Sequence, residues 1–257
     1  MGDNCYIVVN YKTYNECQAC ILSILKVEKY PIIIVINNIE KCDFETFKKY
    51  HFEKFCQEKN IIIKSIFNIG YGRALNHGIE ISKIINRKIN YYFLMNADVE
   101  IIEIPKMSDC SGDALIPIII NGTVLKKTIF MNMLNRRFTI LIARHKILKN
   151  NITFFLIIAI QKIIIYIKSK PYTTHGSLFI IKSKFIDDNL FNSNTFLYSE
   201  ELEFGEYLLR RKLVLKESKI IYRHIGSASI KFEYPKLTNK IPLFRDSLNN
   251  WFSRWFC

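Results

Sequence analysis

Short β-branched runs alternate with longer stretches of helical periodicity through the first hundred residues of the chain. "YIVVN" (6–10), "PIIIVI" (31–36), "NIIIKSI" (60–66) and "YYFLMN" (91–96) read as strands. Residues 16–26, 43–58 and 73–86 between them read as helices. A βαβαβαβ order of this kind predicts a mostly parallel sheet with helices on its faces, joined by connections short enough for right-handed crossovers.

From about residue 105 to 170 that rhythm is lost. The apolar run "ITFFLIIAI" (152–160) is broken by Gln161 and Lys162 before "IIIYI" resumes, short of the roughly 18 to 20 residues needed to span a bilayer. No membrane-spanning segment is expected. Nor does a clean helical stripe emerge between 126 and 149, because Arg137 and Arg144 project onto the same face as Phe130 and Leu148. Further on come a strand "SLFIIK" (177–182), an acidic cluster "SEELEFGEYLLRRK" (199–212), a strand "SKIIYRH" (218–224) and an aromatic tail "NNWFSRWFC". Internal repeats and long low-complexity linkers are lacking, so one domain over 1–257 is expected.

Composition supports a folded core: 49% of the 257 residues are hydrophobic. The seven cysteines are odd in number and scattered, and "MGDNCYIVV" does not read as a cleavable leader, so a reducing cytosol is expected. Cys17 and Cys20 have C-x-x-C spacing without a second pair to complete a zinc site, which favours helix-packing thiols. The net charge is +14, and it is concentrated. Between Ala114 and Ile186 there is no Asp or Glu, while twelve Lys and Arg fall there. On charge alone such a segment suits nucleic acid or an anionic membrane surface, or is a solvated basic face.

Three of the nine glycines fall within "FNIGYGRALNHGIEIS" (67–82). That stretch is not a Walker motif, and its spacing is not G-x-G-x-x-G; it serves a close backbone approach to a phosphate, a tight turn, or close packing of a helix on a sheet. Ligands of open α/β sheets bind at the carboxyl ends of strands, which here carry Asn10 and Tyr11, Asn37 and Asn38, Asn68, and Asn96 with Asp98. Asn96 and Asp98 offer oxygen to a divalent cation whose other ligands would be water and a substrate diphosphate.

Taken in order, "VVNYKTYNECQACILSIL", "IVINN", "NIGYGRALNHGI", "FLMNADVEI", "LYSEELEFGEYLLRR" and "HIGSAS" resemble the family 2 glycosyltransferases of GT-A fold, over roughly residues 5 to 230, and are similar to bacterial rhamnosyltransferase-like enzymes of surface-polysaccharide assembly. The resemblance implies an α/β, GT-A (Rossmann-like) mixed, mostly parallel sheet flanked by helices. It divides the single domain into a nucleotide-sugar-binding half (1–105), a basic insertion (106–170), an acceptor and catalytic half (171–235) and an aromatic C-terminal tail (236–257). It implies donor contacts from Asn10, Asn37, Asn38, Asn68, Gly70, Gly72, Asn76 and Asn96. Asp98 would bind Mn²⁺ or Mg²⁺, with His224 near the metal or diphosphate. Asn37 stands where the family often has a base-contacting Asp.

In the same family the second acid of the pair Glu200 and Glu201 is the general base, so Glu201 would deprotonate the acceptor hydroxyl with inversion, and Glu200 would support it. Glu203 and Glu206 read instead as a solvated helix face paired with Arg210 and Arg211. His77 and His175 are weaker candidates, and the family's common Arg is Tyr207 here. The implied partners are a nucleotide-diphosphate sugar, a polyprenyl-diphosphate-linked glycan in O-antigen or capsule assembly, and the anionic inner face of the cell membrane, with no nucleic acid. Apolar contact with that membrane would come from Phe154, Phe155, Leu156, Trp251, Phe252, Trp255 and Phe256. The rival readings are a sugar-nucleotide nucleotidylyltransferase and a non-catalytic basic module for RNA or lipid. The paired acids oppose the RNA reading, since they repel a phosphate backbone.

Overall fold

A computed structural model describes residues 3–40, 46–85, 87–121, 124–127, 129–144, 160, 169–187, 189–192, 194, 196–226 and 241–257. The amino-terminal half follows the expected order: β1 (Asp3–Asn10), α1 (Tyr14–Val27), β2 (Ile32–Ile39), α2 (Thr46–Glu58), β3 (Ile62–Phe67), α3 (Tyr71–Ile84) and β4 (Ile89–Asn96). β1, β2, β3 and β4 pair in parallel in the order β3-β2-β1-β4. β1 is almost wholly buried, as expected of a central parallel strand covered on both faces.

Beyond β4 the chain adds β5 (Val99–Glu103), β6 (Ala114–Asn121), β7 (Val124–Lys127), β8 (Ile129–Asn132), α4 (Met133–Arg144), β9 (Pro171–Thr174), β10 (Leu178–Lys182), α5 (Glu200–Arg210), β11 (Leu215–His224) and α6 (Ile241–Phe256). The large sheet continues β4-β10-β6-β11-β5, with β10 antiparallel to β4 and β11 antiparallel to β5. β7 pairs with β6, and β8 with β9 form a separate two-stranded sheet. The fold is a single-domain α/β structure with a mixed, mostly parallel sheet flanked by helices.

Two apolar cores cover the two faces of this sheet. One holds Cys17, Cys20 and Cys56 as free, buried thiols, with burial pushing the Cys17 and Cys20 thiols upward, in keeping with a packing role. A third core gathers Met131, Ile142, Tyr172, Leu202, Leu248 and Trp251 from α4, β8, β9, α5 and α6.

That third core corrects two expectations. Glu203 and Glu206 are not a solvated face: both are buried. Glu206 bonds Arg136, accepts from Tyr172 Oη at 3.0 Å and lies 3.5 Å from Arg210 Nε. Glu203 accepts from Arg254 Nη1 at 2.7 Å and Trp255 Nε1 at 2.8 Å. The aromatic tail is likewise spent on the fold, since Trp251 is fully buried and Phe252, Trp255 and Phe256 pack against the same core. Phe154, Phe155 and Leu156 lie outside the described residues. A helix does form within 126–149: α4 turns Asn135, Thr139, Ile142 and Ala143 inward. Among the described residues no helix is long and apolar enough to cross a membrane.

Candidate functional site

The carboxyl ends of β1, β2 and β4 open into a cavity of about 270 Å³. Its lining combines Tyr11, Asn38, Asn68, Asn96 and Asp98 from the amino-terminal half with His175, Glu200, Glu201 and His224 from the carboxyl-terminal half. β11 is what brings the distant His224 there. Pairing antiparallel to β5, it sets His224 opposite Val99, one residue after Asp98, and Ile225 N donates to Asp98 O at 3.0 Å.

His224 Nε2 stands 3.3 Å from Asp98 Oδ1. Nε2 is buried and makes no hydrogen bond among the described residues. His175 meets the His224 ring edge-on, with centroids 5.4 Å apart, and burial followed by the neighbouring His224 push its pKa down to about 4. Ser177 N donates to His175 Nδ1 at 3.2 Å, and Ser177 Oγ lies 3.0 Å from Tyr222 Oη, so the ring is oriented from behind.

A divalent cation fits this chemistry. A carboxylate and an imidazole nitrogen converge on one point, a donor pair suited to Mn²⁺, with water and diphosphate oxygens left to complete the shell. No cluster of three metal-binding side chains occurs among the described residues, so the protein offers a partial shell only.

α5 presents the acids. The chain enters it through Tyr198 and Ser199, both left-handed at φ 69°, a conformation that costs non-glycine residues energy and recurs at functional sites. Glu200, Glu201 and Glu203 occupy the first turn, where the helix dipole favours negative charge. Glu200 is buried, its Oε1 has no hydrogen-bond partner among the described residues, and burial together with Glu201 lifts its pKa to about 8. Glu201 is partly exposed. Burial also raises its pKa, but its own backbone and that of Gly176 hydrogen-bond it and pull the other way. The two adjacent acids therefore differ in setting: burial and the neighbouring Glu201 raise Glu200, while backbone hydrogen bonds to Glu201 oppose the rise that burial causes there.

The asparagines divide. Asn38, Asn68 and Asn96 line the cavity, and Asn38 Oδ1 is buried without a hydrogen-bond partner among the described residues. Asn10 and Asn37 lie outside the lining; they are cross-strand neighbours, with Asn10 Nδ2 donating to Asn37 Oδ1 at 2.9 Å, and Asn10 Oδ1 accepts from Thr13 at the start of α1. Asn76 is spent on both backbone groups of Phe191. Of the glycines, Gly70 lines the cavity at φ +88°, and a side chain there would stand 2.1 Å from Phe196 O. Gly72 and Gly78 abut Phe191 and Ile7, so they answer to close packing of α3. His77 sits on α3, 3.2 Å from Glu80 and apart from the lining.

No protein-family model matches the sequence, nor does any curated protein. Among solved structures, GalNAc-T7 crystallised with UDP, GalNAc and Mn²⁺ superimposes at TM-score 0.58 and 13% identity, covering 98% of this chain and 48% of its own. TarS of S. aureus, also solved with UDP, matches at 0.53 and 14%, covering 98% of this chain and 72% of its own. Glucosyl-3-phosphoglycerate synthase of Mycobacterium tuberculosis matches at 0.53 and 10%, covering 99% and 80%. The fold is GT-A, as in these proteins. At such identities the likeness is one of fold, and the chain spans about half the length of the GalNAc-T7 structure.

Proposed function

We propose that the protein is an inverting glycosyltransferase that moves a sugar from a nucleotide-diphosphate donor to a hydroxyl of a lipid-linked or oligosaccharide acceptor. One observation carries this reading: Asp98 and His224 meet at 3.3 Å in the same cavity that Glu200 and Glu201 enter from α5. The cavity would thus offer a pair able to bind a cation and an anchored carboxylate together, the two parts that this reading uses.

Asp98 and His224 would hold Mn²⁺ or Mg²⁺. Bound there, the cation would offset the charge of the donor diphosphate. Asn38, Asn68 and Asn96 line the donor side, and Asn38 Oδ1 supplies a buried acceptor for a ligand N–H. Glu201 takes the acceptor hydroxyl proton as that oxygen bonds to the anomeric carbon, and the bond to the nucleoside diphosphate breaks with its electron pair leaving on phosphate oxygen. Attack on the face opposite the leaving group inverts the anomeric centre. Glu200, buried and with its pKa raised further by Glu201, is the less suited of the two to that role.

The acceptor class follows from the resemblance to polysaccharide-assembly enzymes: a glycan on polyprenyl diphosphate at the inner face of the cell membrane, as in O-antigen or capsule assembly. Hexosyl or deoxyhexosyl transfer belongs to the same reading. Incubation with a panel of UDP-, GDP- and dTDP-sugars plus Mn²⁺ tests it, with released nucleoside diphosphate as the readout. Cation-dependent release with at least one donor, lost in Glu201→Gln, supports the transferase; no release with any donor opposes it.

A further inference from the structure

We propose that the outward face of α4 docks the protein on an anionic lipid surface. Leu134, Arg137, Leu141 and Arg144 are the exposed positions of this helix. At roughly 100° per residue the two leucines lie within about 20° of one another, and both arginines fall on one flank of them. Leu141 is 51% exposed and Leu134 36%. The opposite face is committed to the fold through Asn135, Thr139, Ile142 and Ala143, and the helix packs on β8, β9 and α6.

Single exposed leucines are ordinary on a protein surface. Their alignment with unpaired arginines is the distinctive feature. Arg136, turned inward, is tied to Glu206, whereas Arg137 and Arg144 make no ion pair or hydrogen bond among the described residues. Among the described residues no acid pairs with them: α4, β8 and β9 fall in the stretch without Asp or Glu, and Asp246, the sole acid of α6, faces Arg245 at 3.8 Å. The face therefore asks for a partner that is negatively charged and also accepts apolar side chains. A nucleic-acid backbone would use the arginines and leave the leucines in water. A bilayer of anionic lipid takes both, with leucines at the acyl boundary and guanidinium groups at the level of the phosphates.

The choice of a membrane rests on the reading of a lipid-linked acceptor above. β9, against which α4 packs, runs directly into His175 and Gly176 of the cavity, so docking by α4 would hold the catalytic half near the headgroups.

Co-sedimentation with vesicles of phosphatidylglycerol plus phosphatidylcholine, and of phosphatidylcholine alone, tests the surface at low and high salt. The full chain should bind the anionic vesicles and release them as salt rises. Arg137→Ala/Arg144→Ala should weaken that partitioning roughly 25-fold, each arginine near an anionic surface being worth about a factor of five. Leu134→Ser/Leu141→Ser should weaken it roughly tenfold or more while keeping the salt dependence. All four side chains face outward, so circular dichroism and unfolding midpoints should match the parent. Cation-dependent nucleotide binding should also persist in both variants; its absence in the parent would count against the transferase reading, and absence of anionic-vesicle binding by the parent against docking. Equal binding to both vesicle types, indifference to the two double variants, displacement of vesicles by single-stranded RNA, or self-association through α4 without vesicle binding would each overturn the proposal.

Discussion

The carboxyl of Glu201 rests on the backbone of Gly176, so closely that a methyl group at Gly176 would stand 2.3 Å from Glu201 Oε1. Gly176→Ala should therefore push the carboxylate off its position. A displacement of about 1 Å costs on the order of 100-fold in rate. Expected is a fall of that size in kcat with donor Kd unchanged, measured by transfer assay and calorimetry side by side.

Glu201→Gln should lose about 10² to 10⁴ in kcat, the usual share of a general base, and keep donor affinity within a few-fold. Glu200→Gln should lose less, because burial and the neighbouring Glu201 disfavour the carboxylate that a base requires. Single-turnover kinetics on both variants decide the order. A dead Glu200→Gln beside an active Glu201→Gln would exchange their roles.

The same Glu200 makes stability depend on pH. Its folded-state pKa of about 8 lies above the ordinary value of 4.5, so between those limits the folded state holds a proton that the unfolded state has lost. Stability from this group is complete below pH 4.5 and is lost as pH rises toward 8, with a slope of at most about 1.4 kcal/mol per pH unit. Urea unfolding across that range should show the wild type losing stability toward alkaline pH and Glu200→Gln losing less.

Arg136 and Glu206 carry a different prediction. Glu206 is fully buried, and Arg136→Ala would strand its charge against the third core. Breaking one side of a buried pair costs about 3 to 5 kcal/mol. Arg210, exposed and 3.5 Å away, should bring the loss to the lower end of that range, as read by urea unfolding.

Much of this fold was legible in the chain, and for a physical reason. β1, β2 and β4 are buried on both faces, so each reads as an unbroken β-branched or aromatic run. β11 is half-exposed along most of its length, and β5 is only five residues long, so neither announces itself by periodicity at full extent. α4 was hidden by Arg137 and Arg144, which suggested a broken stripe but mark its outer face. Asp98, His224 and the acid pair line one cavity because each sits near the end of a strand or the start of a helix. Asn37 and Asn38 were not separable, since successive side chains of a strand point to opposite faces and only the register with Asn10 tells which is consumed. Glu203 and Glu206 misled because their partners Arg254, Trp255, Arg136 and Tyr172 lie at least 34 residues away in sequence.

The central claim is that Asp98 and His224 hold a cation against a donor diphosphate, and thermal shift measures it most directly. Unfolding midpoints would be recorded with nucleoside diphosphates, with and without Mn²⁺, for the parent, Asp98→Ala and His224→Ala. A ligand present at 100 times its Kd stabilises by about 2.7 kcal/mol. The parent should gain a stabilisation of that order with Mn²⁺ and nucleotide together, exceeding the sum of each alone, and both variants should lose the excess. An excess that survives unchanged in Asp98→Ala would contradict the account.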